Sequence, residues 1–230
     1  MTEFLESGRP EEKLFLTVDF DGDFLELRFL AEDFKDKVHA VKLGQGFLLD
    51  QMAHGLQRKL HSRGTVTYLD AKYHEDPDQM DYVVRKSFEL GYRYVSVAPS
   101  AGSAALVAAG LAQTKSRVVG ALSSGDADLS SIEIRNMRSA NNDLDEGNKL
   151  DIVMCNVSGI TRVKELGDFT VIATGIRMPG DDICDQPAVA TPAEALERGA
   201  DFLAVGRAVT GHKNRVEALD RILENIATVR

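Results

Sequence analysis

The sequence predicts a single-domain α/β protein folded as a (β/α)8 barrel. Three observations carry that expectation: eight short β-rich apolar runs recur along the chain, longer segments with helical spacing separate them, and polar residues gather just after many of the runs. A doubly wound open sheet would alternate in the same way, but would concentrate polar residues at one switch point. Here they follow strand after strand: Asp19, Lys42, Asp70 with Lys72, Ser123 with Ser124, Asn156, Arg177 and Arg207. The C-terminal strand ends of a barrel are where such residues converge.

In chain order, residues 1–12 hold Gly8, Pro10 and several acids without periodicity and read as a polar leader, leaving 13–230 for the barrel. The expected strands are Leu14–Asp19, Val38–Gly44, Thr65–Lys72, Tyr92–Ala98, Arg117–Ser123, Leu150–Cys155, Thr170–Thr174 and Phe202–Gly206. Helical spacing joins Phe47, Met52, Leu56 and Leu60, then Met80, Val83, Val84 and Phe88, and finally Val216, Leu219, Ile222, Leu223 and Ile226. Gly64, Gly91, Gly199 and Gly167 stand just before strands, as expected of left-handed residues that end helices. Thr191-Pro192 with Glu194 reads as an N-cap followed by proline at the first helical position. The stretch from Gly125 to Lys149 is polar and must supply a helix around Ile132–Met137 together with a loop.

Composition narrows the function. With 230 residues, 43% hydrophobic and 27% charged, the chain suffices for one core. A formal net charge of −9 argues against a nucleic-acid surface. A small anion held by a few local cations remains compatible. Cys155 and Cys184 lack metal-type spacing, and no N-terminal apolar run resembles a signal peptide or membrane span, so a reduced, cytoplasmic protein is expected, with no membrane partner. His39 and His74 have no His, Asp or Glu cluster at ligand spacing and read as core or surface histidines, so no metal site is expected. Cys155, ending an apolar run, reads as a buried hydrophobe.

The densest chemistry is Leu69-Asp70-Ala71-Lys72-Tyr73-His74-Glu75-Asp76-Pro77. Val66, Tyr68, Asp70 and Lys72 share one face of a strand with period two, so the inward row changes from apolar to charged at its C-terminal end. Lys42, Asp70 and Lys72 would then pair their charges and keep both ammonium groups protonated, as a proton donor to carbon requires. Gly206-Arg207 after the last strand offers backbone donors and a guanidinium for a phosphate.

Asp70-x-Lys72, Lys42-x-Gly44 and Val18-Asp19 resemble the orotidine 5′-monophosphate decarboxylase superfamily. Thr174-Gly175-Ile176-Arg177, Asp185-Gln186, Ala190-Thr191-Pro192-Ala193-Glu194-Ala195, Gly199-Ala200-Asp201 and Val205-Gly206-Arg207 extend the resemblance from about residue 14 to residue 210. It implies a (β/α)8 barrel homodimer that decarboxylates orotidine 5′-monophosphate to UMP in pyrimidine nucleotide biosynthesis, without metal or cofactor. By the same resemblance Lys72 is the proton donor to C6, Asp70 faces the departing carboxylate, and Lys42 joins their network. Asp19 contacts ribose, Ser124 the pyrimidine, and Gln186, Gly206 and Arg207 the phosphate.

Several positions depart from the family pattern. Glu75 stands where an aspartate usually reaches the neighbouring subunit's site, Asp78-Gln79 replaces Asn-Thr, Ser96-Val97-Ala98-Pro99 lacks a histidine, and Thr174-Gly175 lacks an intervening proline. These leave two alternatives: a nucleotide-binding barrel without efficient catalysis, and another phosphorylated-substrate decarboxylase or lyase on the same scaffold. Relatives of the latter kind that resemble 3-keto-gulonate-phosphate decarboxylase and hexulose-phosphate synthase use Mg²⁺ and an acidic ligand shortly before the Asp-x-Lys motif. Thr67, Tyr68 and Leu69 occupy that place here.

Overall fold

A computed structural model describes residues 9–18, 34, 36–49, 51–123, 127–184 and 186–229. Eight parallel strands close into one barrel in sequence order: β1 (Leu14–Val18), β2 (Ala40–Gly44), β3 (Thr67–Tyr73), β4 (Tyr94–Val97), β5 (Arg117–Ala121), β6 (Ile152–Asn156), β7 (Thr170–Thr174) and β8 (Phe202–Val205). Closure is made by β1 on β8, with Phe15 opposite Ala204. The crossover helices are α1 (Gly46–Leu49), α2 (Gln51–Ser62), α3 (Pro77–Glu89), α4 (Ser103–Leu111), α5 (Ala127–Asn142), α6 (Ile160–Leu166) and α7 (Pro192–Glu197) among the described residues, and α8 (Arg207–Thr210) and α9 (Arg215–Ile226) follow the last strand. The predicted barrel is therefore the observed fold. Among the described residues no helix is long and apolar enough to cross a membrane.

Four of the eight predicted strands begin two residues too early, and the other four begin where expected. Val38, Thr65, Tyr92 and Leu150 belong to the apolar runs and are buried, yet they precede the paired segments. Apolar patterning reports burial, and the strand mouths are buried before the ladder begins. Two packed layers result. Residues such as Phe15, Tyr68, Tyr94, Met154, Ile172 and Phe202 fill the barrel interior, while a larger apolar cluster joins the outer strand faces to the helices. At the N-terminal mouth His39 packs against Phe15 and Phe202 and hydrogen-bonds the Tyr94 hydroxyl at 2.9 Å, so its imidazole belongs to an aromatic plug.

Helix signals were mostly legible. Gly64, Gly91 and Gly199 have φ of 77°, 97° and 104°, the left-handed conformation expected of them. Gly167 does not: its φ of 171° is ordinary extended backbone. Thr191 and Glu194 form a reciprocal capping box with Pro192 at the start of α7. The helix expected around Ile132–Met137 extends over Ala127–Asn142. Its buried face carries Glu133 and Ala140 beside Ile134 and Met137, so a charged and a small residue interrupt the apolar stripe.

Candidate active site

Six of the eight inward rows of side chains start apolar and end polar, while those of β5 and β8 stay apolar, with Val119 and Ala121 and with Phe202 and Ala204. Following the pleat, Phe15 gives way to Thr17, Ala40 to Lys42, Tyr68 to Asp70, Tyr94 to Ser96, Met154 to Asn156 and Ile172 to Thr174. Thr17, Lys42, Asp70, Asn156 and Thr174 line a cavity of about 340 Å³, together with Lys72, Cys155, Arg177, Gln186, Gly206 and Arg207. That volume lies in the range of small-molecule sites. Among the described residues of this lining four basic residues accompany one carboxylate, a locally cationic set in an acidic protein.

Lys42 pairs in register with Thr17 on one side and Tyr68 on the other, while Asp70 lies opposite Gly44. This stagger brings Lys42 Nζ to 2.5 Å from Asp70 Oδ2, and both side chains are almost entirely buried. Burial pushes the Asp70 carboxyl upward, but the charges of Lys42 and then Lys72, with hydrogen bonds from Lys42 and Ser96, hold it below the ordinary carboxylate value. The Lys42 ammonium also stands 5.9 Å from the centroid of the Tyr68 ring, on the face of the buried phenol.

Lys72 reaches the cavity differently from the period-two expectation. Val66, Tyr68 and Asp70 keep the inward alternation, but the β3–β4 register shifts between Leu69 and Tyr73, and Lys72 has a left-handed φ of 50°. Its N–H donates to Ser96 Oγ at 2.8 Å instead of extending the ladder. A kink therefore delivers Lys72 beside Asp70. Glu75 follows on the exposed loop before α3 and is absent from the lining of its own chain's cavity, while Asp76 caps α3 by accepting the Gln79 N–H at 3.0 Å.

The opposite wall comes from the segment after β7 and from the end of β8. Gly175 has a φ of 85°, and a Cβ there would stand 2.6 Å from the Ala188 carbonyl oxygen and 2.7 Å from Asn156 Nδ2. Only glycine lets the chain turn so closely. Ile176 and Ala190 then form a parallel bridge that pins the loop at its base. Asn156 Nδ2 donates to Ala188 O at 3.1 Å and lies 3.4 Å from Gln186 Oε1, which ties the loop to β6. Arg177 is buried and donates to the carbonyls of Asp182 and Ile176, each at 2.8 Å. Gly206 caps the short α8 and packs near Thr17, so the first and last strands meet at this end of the cavity.

Among the proposed site residues, Lys42, Asp70, Lys72, Gln186, Gly206 and Arg207 thus line one cavity. Asp19 and Ser124 lie outside the described residues. Ser123, next to Ser124 in the chain, is held by the fully buried Glu133, which accepts the Ser123 N–H at 2.9 Å and its hydroxyl at 2.8 Å. Thr17, Ser96 and Thr174 were not singled out from the sequence as site residues. Their positions at the ends of inward rows could have identified them. Cys155 borders the cavity, but its side chain packs in the outer cluster beside Gly159, and burial pushes its thiol up to about 12, consistent with a buried hydrophobe.

A family model described as Orotidine 5'-phosphate decarboxylase / HUMPS family matches residues 12–222. The chain belongs to this family. Among curated relatives, orotidine 5'-phosphate decarboxylase of Aliivibrio fischeri strain MJ11 is 27% identical over 237 residues, covering 95% of this chain and 99% of that protein. The protein of the same name from Pseudoalteromonas atlantica is 30% identical, covering 94% and 99%. The crystal structure of orotidine 5'-phosphate decarboxylase from Pyrococcus horikoshii OT3 superposes with a TM-score of 0.74 at 19% identity, covering 93% of this chain and 98% of that one. This last likeness concerns the barrel alone. The Orotidine 5'-phosphate decarboxylase / HUMPS match runs from the turn before β1 into α9 and so takes in every strand whose end lines the cavity.

Proposed function

We propose that this chain decarboxylates orotidine 5′-monophosphate to UMP, without metal or cofactor, as a cytoplasmic homodimer. The observation that carries the reading is the union in one cavity of the Lys42–Asp70 pair and Lys72 with Gln186, Arg207 and the amide-bearing start of α8. In this reading the phosphate is gripped by Arg207, Gln186 and the backbone of Gly206 and Arg207, which leaves the pyrimidine over the charged array. The C6–carboxylate bond breaks, its electron pair stays on C6, and CO₂ departs past Asp70. Lys72 donates its proton to C6, and the neutral amine regains a proton from water. An ammonium beside a forming carbanion stabilises the transition state more than the ground-state carboxylate, which is the source of rate.

Glu75 is assigned to the partner subunit's array, because it is exposed and outside its own cavity. Asp19 is proposed to hold ribose and Ser124 the base. The assay is loss of orotidine monophosphate absorbance with EDTA present, in parallel with calorimetric titration by UMP. The expected result is metal-independent turnover that Lys72→Ala abolishes while UMP binding persists. UMP binding without turnover in the wild type would replace this reading with a nucleotide-binding barrel, and failure of both would remove the nucleotide from the cavity.

A further inference from the structure

One buried hydroxyl connects the two groups assigned to the chemical step. Ser96, on β4, is fully buried. Its Oγ donates to Asp70 Oδ1 at 2.8 Å and accepts the Lys72 N–H at 2.8 Å. The other Asp70 oxygen is taken by Lys42, so the carboxylate plane is fixed from both sides. An ionised carboxylate only accepts, which directs the Ser96 proton toward Asp70 and leaves its lone pairs for the Lys72 amide.

The second bond falls where the backbone most needs it. Lys72 is a non-glycine residue at a φ of 50°, inside the segment where β3 loses register with β4. Such a conformation persists only when its surroundings hold it. The kink withdraws the Lys72 N–H from the strand ladder, and Ser96 supplies the acceptor. Above it the Tyr73 carbonyl returns to the ladder by accepting the Ala98 N–H at 2.8 Å.

We propose that Ser96 is a positioning residue, using a single hydroxyl to fix the Lys72 backbone and the Asp70 carboxylate relative to each other. The proposal rests on the assignment of Lys72 and Asp70 to the decarboxylation step. Ser96 is absent from the cavity lining, so its effect on the chemical step passes through Asp70 and Lys72, while its side chain also lies in hydrogen-bonding reach of the Tyr68 hydroxyl. Removing the hydroxyl leaves a buried amide and a carboxylate oxygen each short of one bond, and the root of the Lys72 side chain is freed.

Ser96→Ala and Ser96→Thr, compared with the wild type, test this. For Ser96→Ala the expected result is a fall in kcat of about 10- to 100-fold, the scale set by sub-ångström to ångström misplacement of a reacting group. The KM for orotidine monophosphate and the affinity for UMP should stay within about twofold, because the phosphate end is untouched. Ser96→Thr, which keeps the hydroxyl, should recover most of kcat if its melting temperature matches the wild type. Crystal structures of the wild type and Ser96→Ala give the second reading: Lys72 should leave the left-handed region or the Asp70 carboxylate should turn in the variant. An unchanged kcat, parallel losses of kcat and UMP affinity, or an undisturbed Lys72–Asp70 geometry in Ser96→Ala would overturn the proposal. If the wild type itself does not turn over orotidine monophosphate, the functional reading falls, and the crystallographic comparison alone decides whether Ser96 positions the pair.

Discussion

Substituting Gly175 by alanine tests how tightly the loop after β7 must close over the cavity. Two separate costs can be worked out. The φ of 85° places an alanine in the left-handed region, at about 1–2 kcal/mol. The new Cβ would also lie 2.6 Å from the Ala188 carbonyl oxygen, whereas carbon and oxygen settle at about 3.3 Å. The loop must retreat by roughly 0.7 Å, on that contact distance. Retreat draws Ala188 and Gln186 from Asn156 and spoils the wall that faces Lys72. Gly180 supplies the control: its φ is 90°, but a Cβ there would meet nothing within 4 Å. Gly180→Ala should therefore lose only the backbone part, a melting shift of about 2–8 °C for a chain of this size, with UMP affinity and turnover intact. Gly175→Ala should show that shift or more, together with a roughly tenfold or greater loss in turnover and weaker UMP binding. Calorimetry, thermal melts and the absorbance assay on both variants measure all of this. Equal behaviour of the two variants, or full UMP affinity in Gly175→Ala, would refute the reasoning.

Arg207→Ala should weaken UMP by about 1.5–3 kcal/mol, the worth of a charged hydrogen bond, and should leave uridine affinity nearly unchanged; calorimetry with both ligands separates a phosphate contact from general damage. Asp70 titrates in the folded chain below its ordinary value of 3.8, so its contribution to stability is present above that pH and is lost as pH falls through the folded value. Wild-type melting temperature should consequently fall more steeply than that of Asp70→Asn from about pH 5 to about pH 3, and parallel curves would remove the pair from the acid response. Glu75→Asp should leave a dimer in sedimentation and raise the decarboxylation rate if the extra methylene misplaces the carboxylate; a lower rate would mark glutamate as fitted to this site. Mixing inactive Glu75→Ala and Lys72→Ala chains should restore activity if the two residues serve one site from different subunits.

The barrel was legible because strand and helix periods alternate cleanly, and because polar residues stand where successive inward rows end. Lys42 and Asp70 both follow the pleat at neighbouring strand ends, although it was the family resemblance together with charge pairing, and not spacing within one strand, that joined Lys42 to the network. Lys72 entered the same group for an incomplete reason. Its position depends on a left-handed residue and a hydroxyl on the neighbouring strand, and non-local bonds of that kind leave no periodic trace. Ser96 was noticed only as part of a segment, Ser96-Val97-Ala98-Pro99, that lacks a histidine, since a lone serine in an apolar strand carries no signal until its neighbours are known. Asn156 stood out as a polar strand end, but its closeness to Gly175 and Ala188 did not, because glycine and alanine advertise close approach only once the opposing chain is in view. Gly167 shows the converse error: a glycine before a strand invites a left-handed cap, but here the backbone is extended.

The seam between β1 and β8 has a consequence for how the protein comes into being. Thr17 and Gly206 meet across it, so the proposed anion grip, built from the C-terminal part of the chain, rests against the first strand, whereas Lys42, Asp70 and Lys72 lie within one contiguous third. During synthesis the charged array can form while β8 is still unmade, with no neighbouring strand to seal the ring. Pairing the first strand with the last has the greatest sequence separation of the strand pairs and bears the largest loop-closure entropy among them. Under the proposed function, UMP affinity is a readout of ring closure, because Gly206 and Arg207 are seated only once the final strand has paired with the first.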